Sequence, residues 1–147
     1  MNRKLTPAEE LQYLKEIYRD DREKILGWIT NAYDVLQQRA ALLLSLVAVV
    51  LTITGFSGPT IAASGRFSKI CIGYGLSFVL LSALLVLIGP LQLRWATQWR
   101  AESLDASLVL LIERRNARTR KYHMAFALLC LGLTGYVGSV IGYLFRL

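Results

Sequence analysis

An all-α integral membrane protein with three membrane-spanning helices is the fold that this chain of 147 residues predicts. Two observations carry that prediction. The first is three long apolar runs, at 40–56, 70–88 and 124–145. No Asp or Glu lies between Asp34 and Glu102, and none follows Glu113. A helix rises about 1.5 Å per residue, so roughly 20 residues cross a ~30 Å hydrocarbon core. The first run is short for a span, and Tyr33, Val35 and Leu36 extend it into the headgroup layer. The second observation is the placement of charge. Residues 1–39 hold seven Lys/Arg, residues 94–121 another seven, the loop 57–69 only Arg66 and Lys69, and the tail only Arg146. Basic residues collect on the cytoplasmic side of membrane proteins. The N-terminus and 91–121 are therefore expected in the cytoplasm, with the 57–69 loop and the C-terminus outside. An odd number of spans satisfies that arrangement.

Hydrophobic residues make up 54% of the chain, above the usual 45–50% of a soluble domain. The length leaves no room for a separate soluble domain of usual size. One membrane domain, 1–147, is expected. The first run is not a cleavable signal, because nearly forty mixed-charge residues precede it. The net charge of +7 flanks spans, so it points to membrane lipids and not to a nucleic acid polymer.

Residues 1–38 predict a cytoplasmic amphipathic helix. Thr6-Pro7-Ala8-Glu9 opens it as a capping box, with Pro7 in the first turn. Leu11, Leu14, Tyr18, Ile25, Trp28 and Ala32 share one face. Glu16 with Asp20, and Arg19 with Glu23, are expected as helical neighbours. Nothing in this stretch is expected to break the helix, which should run into the first span with any bend at Gly27.

Gly27, Asn31, Asp34, Gln38, Ala41, Ser45, Ala48, Thr52 and Gly55 recur at steps of three and four residues. Small residues let membrane helices approach, and hydroxyls bond across such contacts. This stripe reads as a helix–helix seam, within the protomer or between protomers, or as the water-lined face of an oligomeric pore. A bulky residue at Ala48 or Gly138 should weaken assembly, and one at Val47 or Val140 should matter less.

Ser57-Gly58-Pro59 is expected to end the first span, leaving an apolar external loop. Gly89-Pro90 should end the second. Trp95 and Trp99, beside Arg94 and Arg100, place 91–100 at the interface. A further helix should start near Ser103, capped by Ser103 or Asp105. Arg114, Arg115, Arg118, Arg120 and Lys121 form a basic collar before the third span. It reads as a headgroup-attracting belt, or as a site for an anionic ligand. In the third span Gly135, Gly138 and Gly142 carry a close-packing pattern, with Gly138-x-x-x-Gly142 its motif.

No phosphate loop, HExxH, nucleophile elbow or paired intramembrane carboxylate occurs. An enzyme, a resident metal and a cofactor are therefore not expected. His123 stands alone, and Cys71 and Cys130 lie at different depths, which disfavours a disulfide.

Arg39-Ala40-Ala41-Leu42-Leu43-Leu44-Ser45, the Gly89-Pro90 break, and the stretch from Glu113-Arg114-Arg115 to Lys121-Tyr122 resemble bacterial anti-phage transmembrane effectors of the Pycsar type. The similarity covers residues 30–145. It departs at Arg39, where that family has Lys, and these 147 residues are not expected to include a cyclic-nucleotide sensor domain. What the resemblance implies is an oligomerising protein of the bacterial inner membrane that perturbs or opens the bilayer on a nucleotide signal. The alternative expectation is a non-catalytic accessory or scaffold subunit of a larger membrane complex.

Overall fold

The computed structural model describes residues 3, 5–91 and 103–145, and within them the chain is built from four helices. They are α1 (Pro7–Tyr18), α2 (Arg22–Ala63), α3 (Arg66–Ile88) and α4 (Leu104–Leu144). Three of them, α2, α3 and α4, are long and apolar enough to cross a membrane. Large apolar side chains cover their outer faces: Leu42, Phe56, Ile70 and Leu144 are all exposed. In water such a surface would aggregate, whereas in lipid it is solvated. The chain is thus an all-helical, multi-pass membrane protein.

α1 starts as the sequence implies. Thr6 N donates to Glu9 Oε2 at 2.8 Å, and Glu9 N donates to Thr6 Oγ1 at 3.3 Å. The helix does not continue into the first span. Arg19 and Asp20 turn left-handed, at φ 52° and 59°. Asp21 then caps α2, its Oδ1 accepting from Lys24 N at 3.3 Å. The single helix expected through Gly27 is therefore broken at 19–21, and Gly27 lies inside unbroken α2. Glu16/Asp20 and Arg19/Glu23 are not helical neighbours. Packing explains the break. Leu11 and Leu14 of α1, Ile25 and Ile29 of α2, and Leu108 and Ile112 of α4 form one buried cluster. A straight helix would carry Leu11 and Leu14 past the end of α4. Aspartate at 20 and 21 favours the turn, since it tolerates the left-handed region and caps well. Ile29, not Trp28, takes the inward position.

α2 also runs beyond its expected end. Pro59 lies within it, and the helix closes at Ala63 with Ser64 N donating to Ile61 O. The proline removes only the bond that Gly55 O would accept. Ser57 strengthens the turn beside it, donating to Ile53 O at 2.8 Å and lying 3.0 Å from Tyr136 Oη. In lipid, helix is the conformation that satisfies backbone polar groups, so leaving it early is costly. The connection expected at 57–69 shrinks to Ser64 and Gly65. Gly89 N, donating to Leu85 O, closes α3 as expected. Ser103 caps α4 by accepting from Ala106 N at 3.1 Å. The interfacial segment expected at 91–100, with Trp95 and Trp99, lies outside the described residues except for Leu91, as does Arg146.

The tight turn makes α3 antiparallel to α2. Contacts from Ser68 to Ser139 and from Ser82 to Ala125 make α4 antiparallel to α3, hence parallel to α2. α2 has 42 residues and α4 has 41, each about 60 Å long, while α3 has 23 and is about 35 Å. The two long helices therefore project together past α3, on one side, and α1 packs on that projection. Two cores stack along the axis. The three spans enclose Ala40, Leu43, Val47, Val50, Val79, Val86, Ala125 and Leu129. The projecting head encloses the α1–α2–α4 cluster.

Candidate functional site

Three surfaces hold the residues that the sequence singles out. The tightest is internal. Ser68, Gly75 and Ser82 recur every seventh residue on α3, with Gly89 next in the series at its C-terminal cap, and Ala125, Gly132 and Ser139 do so on α4. A seven-residue repeat keeps small residues in register along a left-handed crossing. A methyl group at Gly75 would stand 2.8 Å from Gly132 O, and one at Gly135 would stand 3.1 Å from Gly75 Cα. The two backbones therefore touch. Ser82 Oγ donates to Ala125 O at 2.7 Å, so a fully buried hydroxyl ties the helices together. Gly135 belongs to this seam. Gly142 also faces inward, against the Phe67 ring and Ser68. Gly138 does not: a side chain there would meet nothing within 4 Å. Gly138-x-x-x-Gly142 is therefore not one contact within the protomer. The seven-residue spacing on both helices is the sequence signal for this seam, and it is distinct from the GxxxG pattern.

The second surface is the α2 stripe. Asp34, Gln38, Ala41, Ser45, Ala48, Thr52 and Gly55, with Gly27 and Asn31, are all exposed. The buried face of α2 is a different one, made of Ile25, Ile29, Leu36, Ala40, Leu43, Val47, Val50, Thr54, Gly58 and Ile61. The stripe is thus no seam inside the protomer. Ser45 Oγ donates to Ala41 O at 3.1 Å and Thr52 Oγ1 to Ala48 O at 2.9 Å. Both hydroxyl protons turn back on their own helix. Leu42, Leu46, Val49, Ile53 and Phe56 stand exposed beside the stripe as ridges. The result is a shallow furrow into which another helix could settle. Val47 is 2% exposed, so it cannot serve as the neutral comparison for Ala48.

The third is the basic collar, which splits. Arg115 Nη2 reaches both Glu10 carboxylate oxygens at 2.8 Å and Asn116 Oδ1 at 2.9 Å. Its guanidinium lies 5.3 Å from the Trp28 ring centroid. Side chains of Arg115 and Glu10 are only 14% and 17% exposed. Arg115 is therefore a staple between α1, α2 and α4. Arg118 lies over the Tyr33 ring at 5.3 Å, and Tyr33 Oη donates to Leu111 O at 2.8 Å. Arg114 is half-buried and already engaged, whereas Arg120 and Lys121 are exposed. A second tie joins Lys15 Nζ to Asp105 Oδ2 at 2.7 Å. The Lys15 ammonium, through that hydrogen bond, holds the Asp105 carboxyl below its ordinary pKa against a smaller opposing effect of desolvation. The sequence marks Arg115 as a member of the basic collar, and nothing in its spacing links it to Glu10.

Between the two cores, at the collar, α2 and α4 leave an open groove of about 330 Å³. Trp28, Asn31, Ala32, Val35, Leu36 and Arg39 line it from α2, and Arg115 and Thr119 from α4. Both cysteines are free. Among the described residues, no three His, Cys, Asp or Glu side chains converge as metal ligands. No family model, curated protein or solved structure matches this chain.

Proposed function

We propose that this chain is a non-enzymatic, oligomerising membrane protein of the effector type, which perturbs or opens the bilayer when its protomers assemble. The observation that carries the reading is the outward-facing α2 stripe. A helix solvated only by lipid gains nothing from a row of Ala, Gly, Ser and Thr flanked by bulky ridges. A helix that receives another backbone does. Asp34 and Gln38 then gather at the α1 end of the assembly, where a polar mouth would lie. The similarity to Pycsar-type effectors gives the setting, the bacterial inner membrane and defence against phage.

The test is a pair of cysteine substitutions with the native cysteines replaced by Ala. In membranes, Ala48→Cys is expected to crosslink into a species of twice the protomer mass, and Leu80→Cys, exposed on α3 away from the stripe, to stay monomeric. On overproduction, the parent should admit a membrane-impermeant dye, and Ala48→Leu should not. Crosslinking into homo-oligomers without dye entry would remove the effector activity and keep the assembly.

A second reading has its own observation. Tyr13 and Ile17, one turn apart on α1, are 54% and 52% exposed. An accessory subunit would use that apolar pair to hold a partner's soluble part. Under this reading Ala48→Cys crosslinks to a protein of different mass, and Tyr13→Ser with Ile17→Ser loses it.

A further inference from the structure

We infer that the groove between α2 and α4 is a binding site for an anionic phospholipid headgroup, with Arg39 holding the phosphate and the headgroup lying along α2 towards Asn31.

Depth is the first argument. Arg39 immediately precedes the apolar run of the first span, and Thr119 lies five residues before Met124, which opens that of the third. The groove therefore lies level with lipid phosphates, on the side that carries α1. Charge is the second. Arg115 is offset by Glu10, but Arg39 has no hydrogen bond or ion pair with any described residue. The carboxylate of Asp34 is on the neighbouring outer face of α2 and does not line the groove. At the edge of the hydrocarbon a guanidinium with no partner among the described residues attracts a phosphate, its complement in charge and in bidentate geometry. Shape is the third. From Arg39 to Trp28 the groove follows α2 for 11 residues, about 16 Å. Its floor is Ala32, Val35 and Leu36, and its wall carries the Asn31 amide and the Trp28 ring. An amide donor and an aromatic edge suit a hydroxylated headgroup; a long apolar floor suits a lipid better than a small free anion.

The site differs from a belt of summed charge. In a belt, Arg120 and Lys121, the exposed members of the collar, would matter as much as Arg39. In a site, Arg39 and Asn31 dominate.

The test uses the full chain in mild detergent, titrated with palmitoyl-oleoyl phosphatidylglycerol or the matching phosphatidylcholine. Retained lipid is read by native mass spectrometry. The parent should retain phosphatidylglycerol preferentially. Arg39→Gln should cut retention about tenfold and Arg39→Lys less, since lysine keeps charge and loses the fork. Asn31→Ala should also lower it, and Arg120→Gln should leave it within about twofold. Circular dichroism on each variant separates lost binding from lost fold, and Arg39, exposed and without a partner among the described residues, should not disturb folding. Equal losses at Arg39 and Arg120, or no preference for phosphatidylglycerol, would overturn the site. Glycerol 1-phosphate is the competing arm. If it displaces the lipid at equal concentration in an Arg39-dependent way, the ligand is a soluble phosphate and the lipid assignment fails.

Discussion

Arg115 illustrates how a side chain that reads as surface charge becomes structural. Its sequence neighbours are Arg114, Asn116, Ala117 and Arg118, and nothing among them distinguishes it. Its distinction comes from α1, which folds back and brings Glu10 onto it. Partners 105 residues apart in the chain leave no local trace, so this contact was not legible in the sequence. Arg115→Lys keeps the charge but loses the paired bonds and the stacking on Trp28. Hydrogen bonds to charged groups at such a half-buried place contribute about 1.5–3 kcal/mol. Arg115→Lys should therefore raise hydrogen exchange in α1 while leaving α3 and the spans protected. Asp105 supplies a pH signature at the same junction. Its folded pKa is lowered, chiefly by the hydrogen bond from Lys15. The sign follows: the unfolded carboxyl takes up its proton first, so this contribution is complete above the unfolded value of about 3.9 and is lost as pH falls through the folded value. Exchange rates of α1 amides, corrected for intrinsic pH dependence, should rise in that acid window in the parent. Asp105→Asn should abolish the change.

At the scale of elements, the apolar runs were legible and their ends were not. Runs without acids announced α2, α3 and α4, because a membrane span needs little beyond length and hydrophobicity. Caps that are local were legible too: Thr6 with Glu9, Ser103, and the Gly89 stop. Two boundaries failed for opposite reasons. At 19–21 no strong breaker stands in the sequence, yet the head cluster requires a turn. At 57–59 the breakers are present, yet the turn is overridden, because lipid favours continued helix. The Asp21 cap makes the first point testable. Asp21→Ala should cost about 1 kcal/mol in thermal stability of the head, a loss that an uninterrupted helix would not show, since alanine favours the helix interior. The glycines of α3 test the seam. Gly75 and Gly73 stand two places apart with the same propensity, but only Gly75 has a backbone against it. Gly75→Ala forces α3 from α4 and should destabilise by about 1–3 kcal/mol, as overpacking does. Gly73→Ala should be neutral or stabilising by up to about 1 kcal/mol, the ordinary gain of alanine in a helix. Thermal melts of both in one detergent decide it. Equal behaviour would mean that the α3–α4 contact is loose.

For the whole molecule, the unequal helix lengths matter most. Because α2 and α4 are parallel and both outlast α3, the protein is asymmetric across the membrane. Among the described residues, one side carries a packed helical head and the other the Ser64-Gly65 turn and the end of α4. That asymmetry coincides with the charge. The head end carries the basic residues of 1–39 and of 114–121, and the opposite end carries Arg66 and Lys69. Charge alone implied an odd number of spans; the helix directions supply the same parity independently. Span count and relative direction were thus readable from composition, while the head was not, since it depends on α1 turning back. The positive-inside bias predicts the absolute direction, with the head in the cytoplasm. A reporter active only outside the cytoplasm, fused after Leu147, should be active, and the same reporter inserted at Ser103 should be silent. A cytoplasmic reporter should give the reverse. Moving charge gives a stricter test. Arg66→Gln and Lys69→Gln should leave orientation unchanged, because they remove charge from the already poor side. Adding several lysines beyond Leu147 should raise the fraction of inverted molecules, since it makes the C-terminal end compete for the cytoplasm. If the Leu147 and Ser103 reporters are active on the same side, α4 does not cross, and the three-span architecture falls with it.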